Sequence, residues 1–201
     1  MPFDNADPTR GKTDMEPQHS RLSHTLGPIK QLAFVPQDFE ASIKYWTEIM
    51  GVGPFFYLEH ISLEDVFYRG EQIEYDCSAA IAFWGDMEIE LLRQHNEGPS
   101  ILMDFIEAGR EDLHHMRLGV DDLQGARDQL EAMGGKLIQS AILPGSGAYF
   151  MMEMPGPGPI IELSMLEPRF EKLWAYMKKA ADTWDGTDPL RAIPPEAEWL
   201  V

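Results

Sequence analysis

Two glutamates stand inside apolar, strand-like runs: Glu90 in Glu88-Ile-Glu90-Leu-Leu and Glu162 in Ile160-Ile-Glu162-Leu. Side chains of a strand alternate between faces, so Glu90 shares its face with Glu88 and Leu92, while Ile89 and Leu91 point the other way. A carboxylate on such a run is costly to bury unless it is paired or bound to a metal. Two further strand-like runs begin at Gln31 and at His115. Carboxylate, imidazole and amide oxygen are all donors for a divalent cation, and a carboxylate beside such a cation can act as a general base. Each residue alone has a plainer reading. An isolated strand glutamate usually lies on the wet face of a half-exposed sheet, and a single histidine is more often structural than a ligand.

The elements that would position these groups recur along the chain. After Gln31-Leu-Ala-Phe-Val comes Asp38, a good helix N-cap, then an apolar pattern at Phe39, Ile43, Trp46 and Met50 that stops at Gly51. After His115-Met-Arg117-Leu-Gly-Val comes Asp122, then Leu123, Ala126, Leu130 and Met133 on one helical face, stopped by Gly134-Gly135. From Gln31 to His115, from Asp38 to Asp122 and from Gly51 to Gly135 the offset is the same 84 residues. One strand, cap, helix and glycine stop recurring at a fixed offset marks two copies of one unit.

Strand-like runs follow each helix, at 55–61, 72–84 and 87–94 in the first copy and at 136–143, 148–154 and 159–166 in the second, so each copy reads βαβββ. Residues 99–109 form a connecting helix. Beyond Pro168, Phe170, Leu173, Trp174, Met177 and Ala181 give an amphipathic helix outside the repeat. The tail after Gly186 is rich in proline and is expected to wrap the surface or stay disordered, with Trp199 available to dock. The layout is a polar N-terminal tail at 1–28, one domain at 29–166 with units at about 29–95 and 113–166, and a C-terminal helix and tail at 167–201.

A 44% hydrophobic chain of 201 residues is expected to fold around one core. Its apolar runs fall far short of the roughly 20 residues a bilayer requires, so no membrane partner is expected. The segment up to Pro28 lacks the basic start and apolar stretch of a signal peptide. A lone cysteine, Cys77, excludes an intramolecular disulfide and suits a buried small hydrophobe in a reducing compartment, so a cytoplasmic location is expected. With 34 acidic and 16 basic residues the formal charge is −18, which opposes phosphate backbones and anionic lipid. Nucleic acid is therefore not an expected partner. A small-molecule substrate and a homodimer are.

Paired βαβββ units resemble the vicinal-oxygen-chelate superfamily, which includes glyoxalase I, methylmalonyl-CoA epimerase, extradiol dioxygenases and the fosfomycin and bleomycin resistance proteins. The resemblance covers about residues 29–166. It implies an α+β fold in which the two units curve into a half-open mixed β-barrel around a metal, with one ligand from the first and last strand of each unit. The ligand set so implied is Gln31, Glu90, His115 and Glu162, and it looks like that of glyoxalase I in its zinc-using branch. The implied cofactor is one divalent ion, with zinc, nickel, cobalt or manganese ahead of iron.

The same resemblance implies metal-assisted isomerase, epimerase or lyase chemistry, with Glu162, and Glu90 from the other unit, as proton-transfer groups. Alternatives within the fold are a ligand-sequestering or resistance protein, marked by loss of the metal set, and an extradiol dioxygenase, which uses two histidines and one glutamate. Val35 stands where glyoxalase I carries an arginine that helps to hold glutathione, which argues against glutathione. Arg117 shares the inward face of His115, either for a substrate carboxylate or oxyanion or for a salt bridge to a glutamate such as Glu88 or Glu153. Tyr149 is a candidate pocket hydroxyl or a packing residue, and Phe55, Phe56, Tyr57, Tyr68, Phe83 and Trp84 are candidate pocket aromatics. His114, opposite to His115, is read as surface or structural, and His24, His60 and His95 as solvent-facing or core-edge.

Overall fold

The computed structural model describes residues 22–199. The side chains of His24 and Trp199 lie outside the described residues, as do residues 1–21 of the expected polar tail. What remains of that tail is docked. A single turn, α1 (Leu22–Thr25), carries Leu22 and the buried Leu26 into a cluster with Leu118, Leu123 and Leu130.

The run from Gln31 lies in β1 (Ile29–Phe34), and Asp38 caps α2 (Phe39–Lys44) by accepting a hydrogen bond from the Ala41 amide at 2.9 Å. The helix continues through a π-helical turn, Tyr45–Ile49, and Gly51 (φ 66) ends it in the left-handed conformation that glycine adopts without strain. Next come β2 (Phe55–Leu58), a hairpin of β3 (Glu64–Tyr68) and β4 (Glu71–Gln72), β5 (Cys77–Trp84) and β6 (Met87–Gln94). Ser100 caps the connecting helix α3 (Ile101–Glu107).

The second unit repeats the plan. It runs through β7 (Leu113–Gly119), α4 (Leu123–Ala132) capped by Asp122, β8 (Lys136–Leu143), β9 (Gly147–Glu153) and β10 (Ile160–Leu166). Then follow α5 (Arg169–Asp182), β11 (Leu190–Ala192) and α6 (Glu196–Trp199).

All strands join one curled 11-stranded sheet, in the order β11-β2-β5-β6-β1-β7-β10-β9-β8-β3-β4. The blocks β2-β5-β6-β1 and β8-β9-β10-β7 are images of each other and meet at the antiparallel β1–β7 seam, while β1–β6 and β7–β10 are parallel. Two departures from the sequence reading stand out. The stretch between β2 and β5 holds β3, which leaves its own unit and pairs with β8 at the far edge of the other. The tail after Gly186 is not loose among the described residues, because β11 pairs in parallel with β2.

The outward face of each block is covered by its helix. Ile89 and Leu91 pack with Phe39, Ile43 and Trp46, and Leu163 and Met152 with Leu123, Ala126 and Leu130. Leu91 and Leu130 are fully buried, each stabilising the fold by about 1.5–3 kcal/mol relative to exposure. The α5 helix closes a separate cluster, Leu173 and Met177 against Phe56, Ile81 and Phe83, and so lies along the β2–β5 side of the sheet. On the inward face α5 covers Ile81 and Phe83, Ile101 and Leu102 of α3 pack on Ala33, Ala79 and Leu92, and the site occupies what lies between.

Candidate metal centre and its cavity

Cross-strand register gathers the singled-out residues into two adjacent rows. One row reads Glu88, Gln31, Arg117 and Glu162 across β6-β1-β7-β10, and the next reads Glu90, Ala33, His115 and Ile160. Ala33, wholly buried, is the small residue of its row. The Nε2 of His115 lies 3.0 Å from Glu162 Oε2 and 3.5 Å from Glu90 Oε2, so donors from both units converge on one point. His115 is fully buried, and the two glutamate side chains are only 12–13% exposed. Burial alone would push the His115 pKa down, but the two carboxylates outweigh it and hold the ring cationic, with a pKa of about 9.

His114 completes this arrangement, a contribution that the sequence reading did not assign. It is buried rather than at the surface, with its ring edge-on to Phe105 at 4.9 Å. Burial, reinforced by His115, pushes its pKa down to about 3, so it stays neutral. Its Nε2 faces the Ile101 carbonyl at 3.4 Å, and its Nδ1 lies 2.9 Å from Nδ1 of His115. With the His114 proton on Nε2, its Nδ1 can only accept, so His115 donates from Nδ1 and directs Nε2 at the carboxylates. This is the orientation that a metal-ligating imidazole needs. Two carboxylates and an Nε2 that can shed its proton in a buried pocket suit a borderline divalent ion, and until an ion binds the Nε2 proton supplies the positive charge at the same point.

Gln31 and Arg117 are otherwise engaged. The Arg117 guanidinium donates from Nε to the Gln31 amide oxygen and from Nη2 to Glu88 Oε2. Of the two roles open to Arg117, the salt bridge to Glu88 is the one formed. Burial raises the Glu88 carboxyl to about 7; the Arg117 charge and the Trp174 indole N–H oppose this, and Glu90 and Glu162 reinforce it. Gln31 borders the donor cluster, but its oxygen would have to leave Arg117 to serve as a fourth ligand.

The donors face an inner cavity of about 130 Å³ walled by Leu58, Ile61, Leu92, Leu102, Met151 and Phe170 among others. Tyr149 lines it, its hydroxyl accepting from Gln139 Nε2 at 3.4 Å, and burial raises its pKa. None of the six aromatics suggested by the sequence lines this cavity. Phe55 packs under α2, Phe56 and Phe83 under α5, Tyr57 lies beside Phe39, the Tyr68 hydroxyl is bound to Asp104, and Trp84 is 54% exposed. The aromatics that do line it are Tyr75, Tyr149, Phe170 and Trp174. Half-exposed His60, Asp76 and His95 form a second cluster of metal-capable groups, with donor atoms within 4.8 Å of one another. One ring nitrogen of each histidine is engaged, His60 Nδ1 by Asp76 at 2.7 Å and His95 Nε2 by Ser78 at 2.7 Å.

Residues 30–151 match the model of the Glyoxalase/Bleomycin resistance protein/Dioxygenase superfamily, and the chain belongs to that superfamily, the vicinal-oxygen-chelate fold. No curated protein matches. Among solved structures, a hypothetical protein from Bacillus halodurans C-125 is 17% identical, with a TM-score of 0.49 over 70% of this chain and 94% of its own. A methylmalonyl-CoA epimerase from Mycobacterium tuberculosis is 15% identical, with a TM-score of 0.48 over 72% and 91%. One from Streptomyces coelicolor, in complex with 2-nitronate-propionyl-CoA, is 14% identical, with a TM-score of 0.44 over 69% and 93%. Among the described residues, no helix is long and apolar enough to cross a membrane.

Proposed function

We propose that the chain is a metal-dependent isomerase, epimerase or lyase that removes a proton next to a carbonyl or hydroxyl group of a small organic substrate. The observation that supports it best is the convergence of Glu90, His115 and Glu162 from two units on one buried point, at 3.0 and 3.5 Å. Those three residues would hold the ion, with Gln31 as a fourth donor once its amide leaves Arg117. A divalent ion there, zinc, nickel, cobalt or manganese ahead of iron, would supply a Lewis acid that acidifies the adjacent C–H.

The rest falls to the chain's own groups. Glu162 serves as the general base, because its carboxylate borders the cavity where the substrate carbon would lie. Glu90, reaching in from the other unit, serves the opposite face if the product is an epimer. His114 keeps the His115 ring in one tautomer, and the leucine-rich wall keeps water from competing for the proton.

The test is metal analysis of the purified protein by plasma emission after mild dialysis, followed by a screen of carbonyl compounds for uptake of solvent deuterium. About one equivalent of metal and exchange dependent on it are expected. No bound metal, together with no thermal shift on adding any of these ions, overturns the reading.

A further inference from the structure

The inner cavity lies against a second hollow of about 490 Å³, and Glu88, Arg117, Leu166, Phe170 and Trp174 border both. The wall between them is therefore built around the Arg117–Glu88 pair and by α5, which lies beyond the residues 30–151 that define the family match. It is fastened from both sides. The Arg117 guanidinium stacks on Trp174, 5.3 Å from the ring centroid, and Phe170 lies 5.1 Å from the same ring.

Charge limits what can enter. Among the described residues, Arg117 is the one guanidinium or ammonium group lining the inner cavity, and Glu88 and Gln31 occupy it. The outer hollow sets Asp86, Asp121, Glu167 and Glu171 against Lys30. Away from the ion and His115 at the oxygen end, a carboxylate or phosphate on the body of the substrate would thus meet no unpaired guanidinium or ammonium group of the described residues inside and an acidic field outside, in a chain of formal charge −18. The inner volume is also small against the roughly 300–1,000 Å³ of sites for drug-sized ligands.

We infer that the substrate is an uncharged, largely apolar carbonyl compound about one ring wide, whose body rests on Phe170 and Trp174 of α5 while its oxygens face Glu90, His115 and Glu162. Substrates carried on an anionic handle, such as a polyphosphate thioester, are excluded by the same wall. This inference rests on the metal-dependent reading for the oxygen end and on the cavity alone for the apolar end.

The experiment uses zinc-loaded protein and three hydroxamates that share one chelating head: acetohydroxamate, benzohydroxamate and 4-carboxybenzohydroxamate, titrated by calorimetry. Benzohydroxamate should bind at least about tenfold more tightly than acetohydroxamate, the gain from burying a ring. The carboxylated twin should lose that gain, because its charge has no partner. Trp174→Ala should reduce the preference for the ring and Trp174→Phe should keep most of it, with zinc uptake reporting that the donor cluster has survived substitution.

A second arm needs no metal: metal-free protein is compared by saturation-transfer resonance with acetophenone and 4-acetylbenzoate, and only the neutral ketone should bind. Equal or tighter binding of the carboxylated member of either pair overturns the inference. If zinc is not taken up but acetophenone is selected, the metal reading fails and the apolar assignment stands. If zinc binds and neither pair discriminates, the apolar assignment fails alone.

Discussion

Arg117 and Glu88 form a buried ion pair that reaches across a strand. Gln31 of β1 is in register with Glu88 on one side and Arg117 on the other, and the guanidinium spans the gap to meet both. Their side chains are only 10% and 4% exposed. The residue whose position suggested substrate recognition is thereby part of the wall.

Arg117→Ala should destabilise the protein by about 3–5 kcal/mol, because it strands a buried carboxylate. Pairing Arg117→Met with Glu88→Gln should cost much less, since neither partner is then left charged and alone. Urea unfolding of the single and double variants measures both. A single variant within about 1 kcal/mol of the parent would mean that the pair contributes no more than a surface salt bridge.

Cys77 should resist thiol reagents in the folded protein. It is 3% exposed, and burial pushes its pKa up to about 12, so almost no thiolate exists near neutral pH. Native protein should label slowly with a disulfide reagent and completely in denaturant. Rapid stoichiometric labelling of the native state would show that the reagent reaches Cys77, through the inner cavity that it lines or by opening of the sheet at β5.

How much of this was legible beforehand follows from the physics of each element. Caps and glycine stops are local signals that, repeated at the 84-residue offset, located both units, while strand alternation and the family resemblance gave the inward parity of Glu90, His115 and Glu162. The β3–β8 pairing was not legible, because β3 is drawn to a partner in the other unit and Asp65, inside it, takes a positive φ that breaks its regular register. Nor was β11, three residues long and held by β2 rather than by its own pattern. For His114 both a surface and a structural place stayed open, because strand alternation says only that it opposes His115, not that Phe105 and the Ile101 carbonyl of α3 meet its ring. Apart from Tyr149, the aromatics that line the inner cavity were not legible for a related reason, although Phe83, among those suggested, lines the outer hollow. Phe170 and Trp174 reach the cavity from a helix outside the repeat, and no spacing rule within the units points to them.

The His60 imidazole should titrate above the usual histidine value of 6.5. Its hydrogen bond to Asp76 raises the pKa, and the small burial that opposes it is outweighed. A raised histidine stabilises the fold in its charged form, so this contribution is fully present below pH 6.5 and fades as the pH climbs through the folded value. Proton resonance titration of the native protein should show the upward displacement, and Asp76→Asn should abolish it. An unchanged midpoint in that variant would assign the shift to another source.

Glu162→Gln separates ligand from base. In the proposed reaction the base must lie within hydrogen-bond reach of the carbon-bound proton, and Glu162 both borders the cavity and sits 3.0 Å from the His115 nitrogen. The glutamine keeps an oxygen donor and the size of the side chain but removes the basic oxygen. Metal content should therefore fall modestly, while turnover and deuterium exchange at the substrate carbon should drop by about two orders of magnitude or more, the scale of a lost general base. Glu90→Gln should match that loss if both faces of the substrate are used, as epimerisation requires, and should be milder if one face suffices. Should Glu162→Gln recover full turnover once saturated with metal, Glu162 is a ligand only, and the proton leaves by another group.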